Sequence, residues 1–177
     1  MKLTIYQVDA FTDKIFGGNP AAIIPLQSWL DESLMQKIAM ENNLSETAFI
    51  VATDGDEESS YHIRWFTPTL EIDLCGHATL ASAYIIKTFL EPHIQEITFT
   101  TQKSGKLKTY IKDRMYTLDF PARFPDATSA PKKLLESLGV STSVEILKSR
   151  DFFCASNFCF VSITGMLLIE GLTQSFL

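Results

Sequence analysis

The chain has 177 residues, with 15 Lys and Arg against 21 Asp and Glu, a formal net charge of −6. At 46% hydrophobic and 20% charged it can fill a packed interior, which excludes wholesale disorder, and its acidity leaves no basic footprint for nucleic acid. Three cysteines at uneven spacing form neither a disulfide framework nor paired zinc knuckles, and no charge-free apolar run reaches the roughly 20 residues that cross a bilayer.

The amino terminus alternates in the strand period and lacks the unbroken apolar core of a secretory leader, so a cytoplasmic chain with reduced thiols is expected. Leu3, Ile5 and Val8 mark a first strand. The cluster Gly17-Gly18-Asn19-Pro20 then turns the chain into a short apolar strand over Pro20 to Leu26. A helix follows, N-capped by Asp31, with Leu34, Met35, Ile38 and Ala39 on one face and its end at Asn42-Asn43. Glu46 to Val51 and Tyr61 to Phe66 read as paired strands around a turn at Asp54-Gly55-Asp56, and Thr67-Pro68 breaks the ladder.

Residues 76–90 (GHATLASAYIIKTFL) have almost no polar face, so this helix must be enclosed on several sides. The small residues Ala78, Ala81, Ser82 and Ala83 let surrounding backbone approach closely. Three more alternating runs follow, Glu96 to Thr101, Lys106 to Ile111 and Met115 to Phe120, with turns at Ser104-Gly105 and Asp113-Arg114. Pro131, Leu134, Leu135 and Leu138, closed by Gly139, predict a short capped helix. With about six strands and no regular β-α-β alternation, the expected architecture is α+β, an antiparallel sheet rolled around a buried central helix. From Phe152 to Leu177 Glu170 is the single acid or base, and Cys154 and Cys159 fall there.

The chemistry-bearing stretch is Asp73-Leu74-Cys75-Gly76-His77, where an extended segment enters the enclosed helix. Unpaired N–H groups and the positive end of the dipole suit a substrate carboxylate there and would lower the pKa of a thiol. Gly76 lets a ligand approach the backbone, and His77 can shuttle a proton. Against these readings, Cys75 can be an inert buried thiol, Asp73 a helix cap and His77 simply hydrogen-bonded. No metal site is expected, because Asp73, Cys75 and His77 at single-residue gaps across a corner do not converge readily and no fourth ligand is evident. Glu46, at the entry of an apolar strand, is either an exposed strand-start carboxylate or a base half-buried at a cavity mouth. Arg64 and Arg150 carry no local pattern that marks them as anion clamps.

The segments VDAFTDKIFGGNPAAI, NLSETAFI, RWFTPTLEIDLCGHATLASAY, SGKL and YTLDFPA, in that order, strongly resemble the phenazine-biosynthesis PhzF-like family of the diaminopimelate-epimerase-like superfamily. The resemblance covers about residues 1 to 151. It implies two similar domains, each with strands rolled around a central helix, and an active site in the cleft between them. It implies further that Glu46 shuttles a proton in a cofactor-free isomerisation of a small carboxylated substrate, without metal, and that Asp73, Gly76 and His77 line the cleft with Asn19 nearby. In the related racemases and epimerases a cysteine at the position of Cys75 works opposite a second cysteine. The family's second half carries a Gly-Ser-Ala-His helix start that is not found in this sequence. The expectation is therefore a PhzF-like domain over residues 1–151 and an atypical tail over 152–177, arising from truncation or frameshift, with the second domain absent. The expected catalytic residues are Glu46, His77 and Asp73, and the expected substrate-binding residues Asn19, Gly76 and Cys75. The partner is a small carboxylated substrate rather than nucleic acid or membrane, and an exposed former domain interface would favour a homodimer. An epimerase or racemase using Cys75, and a non-catalytic domain that dimerises or binds a partner, are the alternatives.

Overall fold

The computed structural model describes residues 2–14, 16–53, 59–122, 124–131, 133–137, 145–149, 152–156, 159–163 and 167–169. It divides into two compact units, the first ending at Pro121 and the second beginning at Ala122.

The first unit is an eight-stranded sheet with two helices: β1 (Tyr6–Ala10), β2 (Asn19–Leu26), α1 (Glu32–Asn42), β3 (Glu46–Ala52), β4 (Ser60–Phe66), β5 (Glu71–Ile72), α2 (Gly76–Ile85), β6 (Glu96–Thr100), β7 (Lys106–Lys112) and β8 (Met115–Asp119). The sheet order is β1-β2-β3-β4-β6-β7-β8, with β5 also on β4. The α+β architecture with a sheet curled around a central helix is as expected, but the pairing is mixed. β2 pairs parallel with β3, and β4 parallel with β6, while the other pairings of this sheet are antiparallel. Helices α1 and α2 each carry the chain across so that it re-enters the sheet in the same direction, which parallel pairing requires. Alternating sequence reports which face is buried and says nothing of strand direction.

Strands β2, β3 and β4 are buried on both faces, so they read as continuous apolar runs. Ala21, Ile23, Ala48, Ile50, Ile63 and Trp65 point to the layer of α2, and Ile24, Phe49 and Phe66 to that of α1, where Met35 and Ala39 meet them. Local chemistry sets the ends of α1. Asp31 Oδ1 accepts from the Ser33 amide at 2.9 Å, and Asn43 closes the helix in the left-handed region at φ 50°.

In α2, His77 to Ala83 and Ile85 are all buried. Its hydroxyls are satisfied within the helix, Thr79 donating to the Cys75 carbonyl at 2.6 Å and Ser82 to that of Ala78 at 2.7 Å. Enclosure does not extend to residue 90. A π-helical turn over Ile86–Leu90 ends the helix, and Tyr84 and Phe89 remain 45% and 56% exposed. Tyr6 stacks on Phe89 and Tyr116 lies beside Tyr84, so flat aromatic faces cover part of this end.

The second unit is a sheet ordered β13-β12-β11-β10-β9, built from β9 (Asp126–Ala127), β10 (Glu145–Lys148), β11 (Phe152–Ser156), β12 (Cys159–Ile163) and β13 (Leu167–Ile169), with the short helix α3 (Leu134–Ser137). All of its pairings are antiparallel. The low-charge segment after residue 151 therefore contributes three strands. The turn at 54–56, the helix end at Leu138 and Gly139, Arg150 and Glu170 lie outside the described residues. Among the described residues no helix is long and apolar enough to cross a membrane.

Candidate active site

Glu46 is the first residue of β3 and pairs across the parallel ladder with Ala21. The same register brings the start of β2 alongside: the Ser45 hydroxyl donates to Asn19 Oδ1 at 3.0 Å. The amino end of α2 reaches this corner. Its N-cap is Cys75, extended at φ −144° and ψ 119°, followed by Gly76 and His77. Cys75 holds the N-cap position without a side-chain capping hydrogen bond, so Asp73 is not the cap residue.

His77 Nε2 lies 3.1 Å from Glu46 Oε2, with the two side chains only 8% and 17% exposed. Despite this approach the atoms are not aligned for a hydrogen bond, and both are buried without a hydrogen-bond partner among the described residues. On its other edge His77 presents Nδ1 to Cys75 Sγ at 3.4 Å. One ligand-type atom from each of Glu46, Cys75 and His77 falls within 4.8 Å of the others. Three of the six expected site residues thus converge. Asn19 joins them through Ser45, and Gly76 lies between Cys75 and His77. Among the described residues a Cβ added at Gly76 would meet only Phe120 Cε2, at 3.8 Å, so the helix end is open to a ligand there. Asp73 is not a member of the converging trio. Its carbonyl accepts from the Ser104 hydroxyl at 2.8 Å, and the residue lines a crevice with Arg64, Glu71, Gln102 and Lys103.

Burial dominates the electrostatics. It raises the Glu46 carboxyl, which brings the carboxylate closer to the range of a useful base. It lowers the His77 imidazole to about 4, against a smaller upward pull from the Pro20 carbonyl, so the ring is neutral at pH 7. The thiol departs from expectation. Burial, reinforced by the Glu46 charge, pushes Cys75 up to about 12, although the Ala78 and His77 amides pull the other way. The helix amino end lowers a thiol pKa where solvent also reaches the sulfur; here desolvation wins.

Ser45, the Pro20 carbonyl, Ser104 and Phe120 shape this corner and have no individual sequence signal. Each acts through the β2–β3 register or through the chain's return at the β6–β7 turn and beyond β8.

Over residues 8–167 the sequence matches the phenazine biosynthesis-like protein family. An uncharacterized isomerase of Pseudomonas aeruginosa is 49% identical over 152 residues, spanning 86% of this chain and 56% of that one. The phenazine biosynthesis-like domain-containing protein of Homo sapiens is 48% identical over 125 residues, 68% of this chain and 43% of that one. The chain thus spans about half the length of the curated relatives it matches. Among solved structures, a PhzF-family phenazine biosynthesis protein of Enterococcus faecalis superposes with TM-score 0.75 at 44% identity, covering 89% of this chain and 58% of that one. A predicted epimerase of P. aeruginosa superposes at TM-score 0.65 with 19% identity, covering 97% of this chain and 60% of that one, which is a likeness of fold. With a match that runs through both the Glu46 strand and the Cys75-Gly76-His77 helix start, the chain belongs to the phenazine biosynthesis-like protein family.

Proposed function

We propose that this chain carries the proton-transfer half-site of a cofactor-independent isomerase acting on a small carboxylated substrate. The observation that carries the reading is the buried 3.1 Å approach of Glu46 Oε2 to His77 Nε2, each lacking a hydrogen-bond partner. Buried polar atoms left unpaired are costly in a finished core and are common where a substrate completes the site. The isomerase name of the P. aeruginosa relative supports the same class.

In this mechanism the Glu46 carboxylate takes a proton from a substrate carbon, and the C–H electron pair moves into the adjoining π system. Glu46 then returns the proton to a different carbon, so nothing is oxidised or reduced. Neutral His77 donates an N–H to the oxygen on which negative charge develops, while the open helix end at Gly76 holds the carboxylate. A second copy of the chain is proposed as the facing wall, to be read by size-exclusion chromatography.

The test is proton exchange in deuterated water, followed by NMR over a panel of small unsaturated carboxylates. Glu46→Gln keeps the shape and removes the base, so exchange should fall by roughly 10²–10⁴-fold with an unchanged circular dichroism spectrum. Equal exchange in the wild type and the variant overturns the mechanism.

A further inference from the structure

The same corner has a second chemical capacity that proton transfer does not use. Glu46, Cys75 and His77 offer a carboxylate oxygen, a sulfur and an imidazole nitrogen, all within 4.8 Å of one another. Two of the three groups point an unpartnered buried atom into the site, Glu46 Oε2 and His77 Nε2. Zinc binds sulfur at about 2.3 Å and nitrogen or oxygen at about 2.0–2.2 Å, which sets tetrahedral ligand separations near 3.4–3.6 Å. The Oε2–Nε2 distance of 3.1 Å is close to that range, while Sγ lies 3.4 Å from the other ring nitrogen, Nδ1, which the same ion cannot also bind. The widest separation needs to contract by at most about 1.2 Å, with the ring turned so that one nitrogen faces the ion.

We propose that Glu46, Cys75 and His77 form a binding site for a soft divalent cation of the zinc class. Imidazole together with thiolate selects zinc over the hard cations calcium and magnesium. Charge balance also favours it, because a thiolate and a carboxylate neutralise the ion in a place where either anion alone is poorly solvated. As the Zn–S bond forms, the thiol proton leaves to solvent; no electrons are transferred. Three protein ligands leave the fourth position for water or for a substrate carboxylate. A consequence, which rests on the isomerase reading, is that bound zinc occupies the Glu46 lone pair and the His77 nitrogen and halts proton transfer.

The experiment is equilibrium dialysis of the full chain against Zn²⁺, with Co²⁺ as a spectroscopic substitute. The expected result is one Zn²⁺ per chain and a thiolate-to-cobalt charge-transfer band. In Cys75→Ser the band disappears and affinity falls by at least the 10–100-fold that removing a residue that merely orients a ligand costs. In Glu96→Gln, remote on β6, both persist. Failure of the wild type to hold Zn²⁺ stoichiometrically, or a cobalt band that survives in Cys75→Ser, overturns the site. If Cys75→Ser does not fold, the wild-type band decides, present in support and absent in refutation. Turnover is read separately. Zinc binding without any turnover overturns the isomerase reading and leaves the site standing; turnover undiminished at saturating zinc overturns the inhibitory consequence alone.

Discussion

In the proposed proton transfer the thiol competes with the carboxylate as the acid–base group, and the state of Cys75 can be measured without knowing the substrate. The thiol is raised from 9.0 to about 12 and the residue is 7% exposed. At pH 8 a thiol of pKa 9.0 is about one-tenth thiolate, whereas one of pKa 12 is about one part in ten thousand, a thousandfold smaller supply of nucleophile. A more basic thiolate is intrinsically more reactive. With a Brønsted slope of about 0.4–0.5, three pKa decades return roughly 15–30-fold. The balance is a suppression of about 30–60-fold in exchange with an aromatic disulfide, before limited access to the sulfur slows it further. The assay follows labelling of the Cys75 peptide by mass spectrometry at pH 8, in the folded chain and in the chain unfolded by urea. Folded Cys75 should react at least 30-fold more slowly, and its rate should still be rising above pH 10. Reaction within about threefold of the unfolded rate, or a plateau below pH 9, would refute the desolvation argument. It would also move the acid–base role from Glu46 towards the epimerase-like use of Cys75.

Arg64 tests the packing on the other side of the sheet. It holds Glu71 through two hydrogen bonds of 2.6 Å and Glu32 at 2.8 Å, beneath Trp29. Arg64→Met strands the half-buried Glu71 and should cost about 2–4 kcal/mol, less than a fully enclosed pair because Glu32 is exposed. Thermal unfolding reads this as a drop of roughly 4–16 °C, and Glu71→Gln in the same chain should restore part of it; a change below about 0.5 kcal/mol contradicts the network's role. Two glycines at positive φ should respond very differently to alanine. At Gly105 (φ 73°) nothing among the described residues lies within 4 Å of an added Cβ, so the cost is the left-handed backbone alone, about 1–2 kcal/mol; at Gly18 (φ 67°) the Cβ would sit 2.2 Å from the Ala10 carbonyl and the loss should exceed about 3 kcal/mol by urea titration. Gly76→Ala, with its Cβ in ordinary contact, should leave stability unchanged or raise it by up to about 1 kcal/mol, yet raise KM for a carboxylated substrate. An unchanged KM would remove the helix end as the carboxylate site.

What the sequence made legible was what neighbours along the chain decide. Asp31 and Asn43 fix the ends of α1 through contacts within a few residues, and the turn at Asp113-Arg114 adopts positive φ at both positions, between strands whose alternation was plain. The buried helix was legible too, because an all-round apolar face has no other stable destination. The limit of that argument lies at its end: Phe89 is as apolar as Ile86, but one is half exposed and the other buried. Composition records what can be enclosed, and only the reach of the sheet decides what is.

The site was legible in its members and illegible in its state, for the same reason. Glu46, Cys75 and His77 were each identifiable, but their pKa values depend on how much protein surrounds them, and the parallel register of β2 with β3 sets that. Placing Glu46 opposite Ala21 seats its carboxylate beside His77 instead of at an exposed strand start. A one-residue slip would send Glu46 to the α1 face, where Arg64 already has two carboxylates. The approach of Glu46 to His77 is thus a product of strand register, and the Ser45 hydroxyl ties Asn19 to the same ladder end.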